Sequence, residues 1–253
     1  MVSEFMLQQT PVNRVLGPWR EWLQRWPTPA ALADEPVGEA VRAWGGLGYP
    51  RRAQRLHAAA RVIVAEHEGQ VPKDLAALRA LPGVGAYTAA AVASFGFGAR
   101  HVVLDVNVRR VLARLEGGTD APISAPGAAE VHRAEAWLPQ GRDGPRWSAA
   151  AMELGAQVCR STPDCGSCPA RDHCRWRAAG YPPGAPRRRQ LFAGTDRAAR
   201  GHVLRRLRGL PSGAVLDEAE LVAGWPDTVQ ARAALTTLLD DGLIARQGPG
   251  YVL

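Results

Sequence analysis

Two glycines in a short turn between two helical patterns constrain this chain more than any other feature. The turn reads Leu81-Pro82-Gly83-Val84-Gly85 and has apolar residues at helical spacing on both sides. Glycine lets a backbone turn tightly and approach a bound group closely, so the stretch predicts a helix, a hairpin and a helix. The N–H groups that open the second helix would point at an anion, and for a basic chain we expect a DNA phosphate.

A single carboxylate follows this hairpin at a defined place. About twenty residues after the turn, the apolar run Val102-Val103-Leu104 leads to Asp105, which stands where another helical pattern starts. An aspartate at that point can be an ordinary helix N-cap, or it can be a reactive group held beside bound DNA. The pattern therefore indicates a DNA clamp with one positioned carboxylate.

Composition agrees with a nucleic-acid partner without proving one. The 253 residues are 46% hydrophobic, which is enough for a large core and one or two domains, and 31 basic residues face 24 acidic ones for a net charge of +7. A basic protein that binds nothing charged is the alternative. Since no transmembrane or secretory segment is visible, we expect a bacterial cytoplasmic protein that works at the nucleoid, without a membrane partner.

The first two thirds of the chain predict helices only. Thr10-Pro11 predicts a helix N-cap with proline at the first helical position. The helix that follows has apolar residues at helical spacing, which predict its buried face: Val12, Val15, Leu16, Trp19, Leu23 and Trp26. Further helical patterns cover 29–34, 36–44, 51–67, 73–80, 86–95, 105–116, 127–138 and 145–158. No alternating strand pattern stands before residue 200, so the predicted fold class is all-α.

Four cysteines lie close together at Cys159, Cys165, Cys168 and Cys174, with five, two and five residues between them. Four thiolates within sixteen residues can surround one compact centre, whereas structural zinc more often uses two separated Cys-x-x-Cys pairs. The spacing favours a [4Fe–4S] cluster over zinc, and disulfides least. Arg160, Arg171, Arg175 and Arg177 crowd the same loop, so we expect it to face DNA.

The composition changes after the cysteines. Residues 178–194 predict a Pro/Arg-rich linker that includes Arg187-Arg188-Arg189, and arginines at 197, 200, 205, 206 and 208 continue a basic segment suited to a phosphate track. From 195 to 253 we predict a small winged-helix-like module with helices to about 207, at 216–223 and at 227–240. Its hairpin covers 243–253 with a Gly248-Pro249-Gly250 turn, and its core contains Leu235, Leu238 and Leu239. A packing or protein-interaction domain is the alternative.

Several motifs in order carry a family resemblance. They are Ser3 to Thr10 (SEFMLQQT), Gly46 to Tyr49 (GLGY), Leu81 to Thr88 (LPGVGAYT), Leu104 to Val108 (LDVNV) and the four cysteines. Residues 2–177 resemble the MutY-type adenine DNA glycosylases of the helix-hairpin-helix, endonuclease III-like superfamily. The resemblance implies a two-lobed helical domain over 1–177, with the cluster loop at 159–174, that bends mismatched duplex DNA and flips a base out of it. It also implies a monomeric enzyme that hydrolyses the N-glycosidic bond of adenine paired with 8-oxoguanine or guanine.

The same resemblance assigns roles to side chains. Glu4 would be the general acid that protonates adenine, and Asp105 would stabilise the positive sugar that remains. Adenine leaves poorly while neutral and the sugar becomes oxocarbenium-like, so one carboxyl group must hold a proton while the other must not. Asn107 and Tyr87 would support the flipped base. From position alone, Glu4 can equally be a first-turn helix acid.

Other residues would contact DNA around that site. Tyr49 would wedge into the stack beside the opposing base and Gln8 would probe the gap, with an ordinary exposed loop tyrosine as the alternative. The resemblance also implies that Leu81, Gly83 and Gly85 contact the DNA backbone.

Position 87 predicts a monofunctional enzyme. Endonuclease III-like relatives carry a lysine at the position of Tyr87, and that amine attacks the sugar and cuts the strand. The only lysine here is Lys73, ahead of the hairpin, so we expect an abasic product without strong strand cleavage.

The chain departs from the family in four places. It has five residues instead of six between its first two cysteines, Val106 instead of a small or polar residue, and no Nudix-like C-terminal domain. The family also has a helical segment before the motif that begins at Val2, so we expect a truncated or misassigned start. If Met1 is the true start, we expect Glu4 on a frayed end. Two alternatives remain: a glycosylase for another mismatched or oxidised base, and a non-catalytic DNA-binding relative.

Overall fold

The computed structural model describes residues 1–122, 126–184 and 192–253, and these form two compact units. The first contains Met1–Pro72, Ala80–Gly83 and the described part of Arg189–Leu253, and the second contains Lys73–Arg79 and the described part of Val84–Arg188. The domain boundaries predicted at 177 and 195 stay predictions. In the described ranges no helix has the length and apolar character needed to cross a membrane.

The N-terminal part of the first unit is helical throughout its described elements. These are α1 (Val2–Leu7), α2 (Val12–Arg25), α3 (Pro29–Ala33), α4 (Val37–Ala43), a 3-10 turn (Gly45–Leu47) and α5 (Arg51–Glu66). Both α3 and α4 pack on α5, and α1 packs on α2 and α5. Thr28 starts α3 by accepting a hydrogen bond from the N–H of Ala31, with Pro29 at the first helical position.

The buried face of α2 differs from the predicted one. Val15, Trp22 and Trp26 are buried, while Trp19 is half-buried and Val12, Leu16 and Leu23 are exposed. The Trp22 ring meets both Trp26 and Trp44 edge to face, at 4.6 and 5.8 Å between centroids. Aromatic packing therefore determines that the face of α2 carrying Trp22 is the buried one. Apolar spacing alone did not identify this face.

The second unit is a helical bundle around α8. Its elements are α6 (Leu75–Ala80, of which Ala80 belongs to the first unit), α7 (Ala86–Ala91), α8 (Val106–Leu115), α9 (Ala128–Trp137), α10 (Asp143–Glu153), a 3-10 turn (Arg171–His173) and α11 (Arg175–Ala178). Two helices continue as π-helical turns, α7 through Val92–Gly96 and α10 through Leu154–Val158. Val108, Leu112, Ala134 and Ala151 share one core cluster that joins α8, α9 and α10.

The C-terminal elements follow the predicted order. They are α12 (Asp196–Arg208), α13 (Glu218–Val222), α14 (Thr228–Asp240), β1 (Ala245–Gln247) and β2 (Gly250–Val252), with β1 antiparallel to β2. Among the described residues these are the only strands, as expected for the region before residue 200. Leu235 and Leu238 are buried as predicted, but Leu239 is only half-buried. Gly250 belongs to β2 rather than to the turn.

Two arginines tie these C-terminal elements to α4 inside the first unit. Arg42 donates hydrogen bonds to the carbonyls of Leu207, Arg208 and Leu210, and Arg208 donates to Val41 and Gly45. Burial lowers the pKa of Arg208 to about 10. The phosphate track predicted from this basic segment is therefore wrong for Arg208. It is also wrong for Arg200, which pairs with Asp241 at 2.5 Å, whereas the predicted Arg187 to Arg189 run lies outside the described residues.

Candidate active site and DNA-contacting residues

Glu4 lies in the first turn of a helix that the core anchors. Its neighbours Phe5 and Met6 are buried at 1% and 0% exposure, which fixes α1 on the first unit. The expectation of a frayed end at Glu4 is therefore wrong for this structure. Glu4 itself is half-buried. The local sequence explains this, because the two apolar residues after Glu4 are buried and hold the first turn of α1 against the core.

The two glycines of the hairpin differ in backbone conformation and in the space around them. Gly83 has a φ of +78°, and a Cβ there would lie 2.7 Å from Cβ of Arg55 and 2.9 Å from Cε1 of Phe5. Any side chain at this position would therefore strain the backbone and push against α1. Gly85 has a φ of −86° and open space around it, so the tight turn predicted for both glycines requires only Gly83. The open space at Gly85 suits a backbone that another molecule approaches closely.

Leu81 is held inside the first unit. Its side chain is 2% exposed, so it packs under the hairpin and does not face solvent. The DNA contact predicted for Leu81 can therefore involve only its backbone. The correction follows from the turn itself, because the proline and glycine after Leu81 reverse the chain and leave the leucine on the inner side.

A second group of predicted residues meets around Arg52 in the first unit. The Arg52 guanidinium lies over the Tyr49 ring at 4.5 Å and donates a hydrogen bond to the backbone carbonyl of Gln8. Arg52 is 9% exposed, and burial lowers its pKa. The structure thus brings Gln8 and Tyr49 together through a side chain that sequence analysis did not single out, although Arg52 follows Tyr49 by three residues, one helical turn.

The backbone around these residues is strained and firmly tied. Tyr49 and Gln9 have φ values of +49° and +55°, which non-glycine residues rarely adopt and which cost about 1 to 3 kcal/mol each. Thr10 donates a hydrogen bond to the carbonyl of Leu47 at 3.2 Å, and Trp44 Nε1 donates to Gly48 at 2.9 Å. These bonds hold the segment before Thr10 and the loop before Tyr49 in place. The exposed Gln9 is therefore a second candidate beside the predicted Gln8, and the sequence analysis did not single it out.

Asp105 is fixed as an N-cap and remains partly accessible. One carboxylate oxygen accepts the N–H of Val108 at 2.7 Å, and the other accepts Nδ2 of Asn107 at 2.8 Å. The N-cap is confirmed, because the bond from Val108 starts α8, and the bond from Asn107 further orients the charge. The cap leaves the prediction of a positioned carboxylate open. Val106 is 66% exposed beside it, so its apolar side chain does not disturb this arrangement.

A hydrogen-bonded chain runs from Asp105 to the first cysteine. Arg110 donates to Oδ1 of Asn107 at 2.7 Å, to the Gly155 carbonyl at 2.6 Å and to the Cys159 carbonyl at 2.7 Å. Gly155 permits this contact, because a Cβ there would lie 2.7 Å from Cβ of Asn107. Arg110 was not predicted, but it follows Asn107 by three residues on α8, which puts both on one helix face.

Tyr87 and Lys73 both belong to the second unit but have different surroundings. Tyr87 is half-buried in the first turn of α7 and packs against the cluster of Ala90, Ala91 and Val103. Lys73 precedes α6 on the surface, with its Nζ 5.9 Å from the centroid of the Phe97 ring.

All four cysteines are free thiols that line one pocket. Each is half-buried, and Val111, Leu154 and Trp176 supply apolar walls. Burial raises the pKa of the Cys168 thiol, and the nearby charges of the other three cysteines add to this. Among the residues that the structure describes, no group of histidine, cysteine or acidic side chains converges tightly enough for a metal ion.

One buried arginine braces this cysteine loop. The Arg114 guanidinium is 1% exposed, donates to Sγ of Cys159 at 3.4 Å, pairs with Asp120 at 2.5 Å and lies over the Trp176 ring at 4.4 Å. Arg114 was also missed, and its place one turn after Arg110 on α8 is the signal that could have found it. The four predicted loop arginines are exposed, as a surface that meets DNA requires: Arg160, Arg171, Arg175 and Arg177.

The structure thus combines a glycine hairpin between two helices, an aspartate that caps α8 and a four-cysteine loop, and these are the features on which the resemblance to helix-hairpin-helix DNA-binding proteins rests. The chain belongs to the HhH-GPD superfamily of base excision DNA repair proteins, whose model matches residues 2–137, and within it to the adenine DNA glycosylase family.

Curated relatives show this family, and solved structures match its fold. The adenine DNA glycosylase of Mycolicibacterium smegmatis is 49% identical over 99% of this chain and 85% of its own length, and that of Mycobacterium tuberculosis is 50% identical over 99% and 83%. The human adenine DNA glycosylase is 42% identical over 68% of this chain and 32% of its own. A thermostable thymine-DNA glycosylase matches in structure with a TM-score of 0.65 and 27% identity, over 70% of this chain and 82% of that one. An endonuclease III bound to DNA matches in fold, with a TM-score of 0.61 and 24% identity over 70% and 81%.

Proposed function

We propose that this protein is a base excision repair enzyme that removes adenine paired with 8-oxoguanine or guanine, and that it leaves an abasic site without cutting the strand. Adenine as the excised base rests on the named relatives, at about half identity over nearly the whole chain. The single structural observation that carries the proposal is the fixed carboxylate of Asp105, bonded to Asn107 and to the start of α8.

The two carboxyl groups divide the chemistry. Asp105 keeps its charge oriented by two donated hydrogen bonds, which suits stabilisation of an oxocarbenium-like sugar. Glu4 would supply the proton that makes adenine a good leaving group, and the anchored helix α1 supports this role because it fixes the backbone that carries the side chain. Asn107 serves Asp105 as a positioning partner, and Tyr87 would line the place of the flipped base.

Strand cleavage by a lysine does not fit the described residues. Position 87 carries a phenol rather than an amine, and the only lysine, Lys73, lies on the surface against Phe97. A Schiff base with the sugar needs an amine at the reacting carbon. The proposed product is therefore an intact strand with an abasic site.

The four cysteines suit a [4Fe–4S] cluster. The four thiols line one pocket, but they do not converge as tightly as a single ion requires, whose four ligands must lie within about 2.3 Å of it. Four thiolates around a wider centre suit an inorganic cluster better. Cys159, Cys165, Cys168 and Cys174 would hold the cluster, and the N–H of Arg114 at Cys159 would stabilise the negative sulfur. When bound, the cluster would supply a rigid cross-link and no step of the excision.

Single-turnover excision tests this proposal. The substrates are duplexes with adenine opposite 8-oxoguanine, guanine or thymine, together with thymine opposite guanine, because a thymine-DNA glycosylase shares the fold. Each reaction is divided, and one half is treated with alkali before electrophoresis. We expect strand breaks only after alkali, and only with adenine opposite 8-oxoguanine or guanine.

The variant Glu4→Gln separates catalysis from binding. It should abolish excision while duplex binding stays within about twofold, because the amide keeps the size of the side chain and cannot donate the proton. The matched control is Glu66→Gln at the end of α5. Excision by Glu4→Gln at the wild-type rate would remove Glu4 from the mechanism, and cleavage of the thymine substrate alone would replace adenine by thymine as the excised base.

A further inference from the structure

The C-terminal elements contribute an arginine to the surroundings of Tyr49. Nη1 of Arg197, in the first turn of α12, lies 3.4 Å from the Tyr49 hydroxyl. The other side of the tyrosine is already occupied, because Arg52 covers one ring face at 4.5 Å. Tyr49 is nevertheless 44% exposed, so part of the residue remains accessible to another molecule. Two arginines from distant parts of the sequence thus hold one strained, exposed aromatic residue.

Arg197 differs from the neighbouring arginines of α12 in the partners of its guanidinium group. Arg200 pairs with Asp241, and Arg208 is buried against backbone carbonyls. Arg197 is exposed, and within the described ranges no carboxylate forms a salt bridge with it. Its guanidinium also lies 5.3 Å from the centroid of the Phe192 ring, which is 55% exposed. The result is an exposed surface of two aromatic rings and one uncompensated charge, defined by Tyr49, Phe192 and Arg197.

Such a surface has the chemistry of a nucleic-acid contact. Aromatic faces stack on bases, and a guanidinium forms charge-assisted hydrogen bonds with phosphate oxygens. The packing of α12 on the loop before Tyr49, through Arg208 and the Gly45 carbonyl, makes this surface continuous with the predicted wedge. An anionic protein would also satisfy the charge, but it would leave the two exposed rings without a stacking partner.

We propose that the C-terminal module is part of the DNA-contacting surface, and that Arg197 both holds the Tyr49 side chain and binds a phosphate of the strand opposite the excised adenine. This inference rests on the proposed function, because it assigns the neighbourhood of Tyr49 to the opposite strand. The 195–253 module would then take part in DNA binding for the same reaction. Arg197 would position Tyr49 and also contact a DNA phosphate directly.

Binding without catalysis tests the proposal. The probe is a fluorescent duplex with a non-hydrolysable 2′-fluoroarabino adenosine opposite 8-oxoguanine, and its anisotropy is followed at several salt concentrations. Arg197→Ala should weaken binding about tenfold and reduce the slope of log K against log salt by about 0.9, the value for one lost phosphate contact. The matched control is Arg206→Ala, which removes an exposed charge about 180° away on α12 and should stay within about twofold of the wild type.

Two more variants separate holding from charge. Arg197→Lys should keep the salt slope, because the charge remains, but it should bind more weakly than the wild type because the ammonium group lacks the guanidinium geometry. Tyr49→Phe removes the hydroxyl, and combining it with Arg197→Ala should weaken binding no further than Arg197→Ala alone. Circular dichroism checks folding, and Arg197→Gln replaces the alanine variant if that variant unfolds.

The outcomes distinguish this inference from the proposed function. If Arg197→Ala and Arg206→Ala bind alike with equal salt slopes, the C-terminal module is not part of the surface, while adenine excision by the wild type keeps the proposed function. If the wild type excises no adenine from any duplex, the proposed function fails whatever Arg197 does. If Arg197→Ala weakens binding about tenfold but leaves the salt slope unchanged, the proposed phosphate contact is also wrong.

Discussion

At the scale of single residues, Asp105 shows how one side chain can serve structure and chemistry together. Aspartate and asparagine cap helices about equally well, since either oxygen accepts the N–H of Val108. Asp105→Asn should therefore keep the cap but lose the bond from Asn107, so the free energy of unfolding should fall by only about 1 kcal/mol. Single-turnover excision should fall at least about a hundredfold, because the charge beside the sugar is lost.

The same substitution at another N-cap provides the control. Asp227→Asn at the start of α14 changes a capping carboxylate that has no expected role in the reaction, so excision should be unchanged. Wild-type excision by Asp105→Asn, in protein that melts cooperatively, would show that Asp105 is only a cap.

Residue-scale prediction succeeded where a side chain acts through its near neighbours in sequence. Asp105 and the strained glycine at 83 could be read directly from the pattern. Arg52 and Arg110 could not, because their importance comes from contacts with Gln8 and Cys159, which lie 44 and 49 positions away. An arginine three residues after a motif side chain is a usable signal only once the helix face is known.

At the scale of elements, the cysteine loop is the part whose stability depends most on a bound group. It has little regular structure, and its internal bonds come largely from Arg114 and from Asp164, which accepts Ser167 Oγ at 2.6 Å. We expect purified protein to be brown with about four irons per chain. Cys168→Ser should lose the visible absorbance and most of the iron, and should unfold at a lower temperature.

The control for the loop is Ser161→Ala, an exposed change beside the first cysteine that should keep the iron. One zinc per chain, measured by plasma mass spectrometry on protein purified without chelator, would contradict the cluster. A disulfide would give neither metal nor free thiols.

Element boundaries were predictable at most positions where a capping residue stands before an apolar pattern. The cap predicted at Thr10-Pro11 is wrong, because α2 begins at Val12 after Pro11 without a side-chain cap, and the Thr10 hydroxyl donates to the Leu47 carbonyl instead. Thr28, Asp105, Thr195 and Asp217 all cap the helices expected there, since each accepts a backbone N–H. The buried face of α2 was not predictable, because both candidate faces carry large apolar side chains. The edge-to-face contacts of Trp22, which decide between them, depend on the position of Trp44.

At the scale of the whole molecule, Glu39 connects α2 to the helix that holds the C-terminal elements. Its carboxylate lies 2.7 Å from Arg25 and 3.0 Å from Arg42. Burial alone would raise the pKa of Glu39, but the hydrogen bonds from the two arginines outweigh it and hold the pKa below its usual value of 4.5. The folded state thus favours the charged form, which adds stability above pH 4.5 that is lost as the pH falls through the lowered pKa.

Glu39→Gln should lower the free energy of unfolding by about 1 to 3 kcal/mol at pH 7, and the deficit should shrink below pH 4.5. Urea titrations at pH 7 and at acid pH measure it. Glu35→Gln is the comparison, because its carboxylate is 3.4 Å from the same Arg25 but more exposed, and it should cost only a few tenths of a kcal/mol. A constant Glu39→Gln deficit across the pH range would show that its charge contributes nothing.

The surface position of Lys73 has a practical consequence for spectroscopy. Because no other lysine exists in the chain, a succinimidyl dye can react only with this ε-amine and with the α-amine. Labelling with such a dye would place a fluorophore a few residues before the hairpin and beside Phe97, without the thiol reagents that would attack the cysteine loop. Time-resolved emission from that dye could follow the arrival of a duplex at the hairpin in protein whose four cysteines remain untouched.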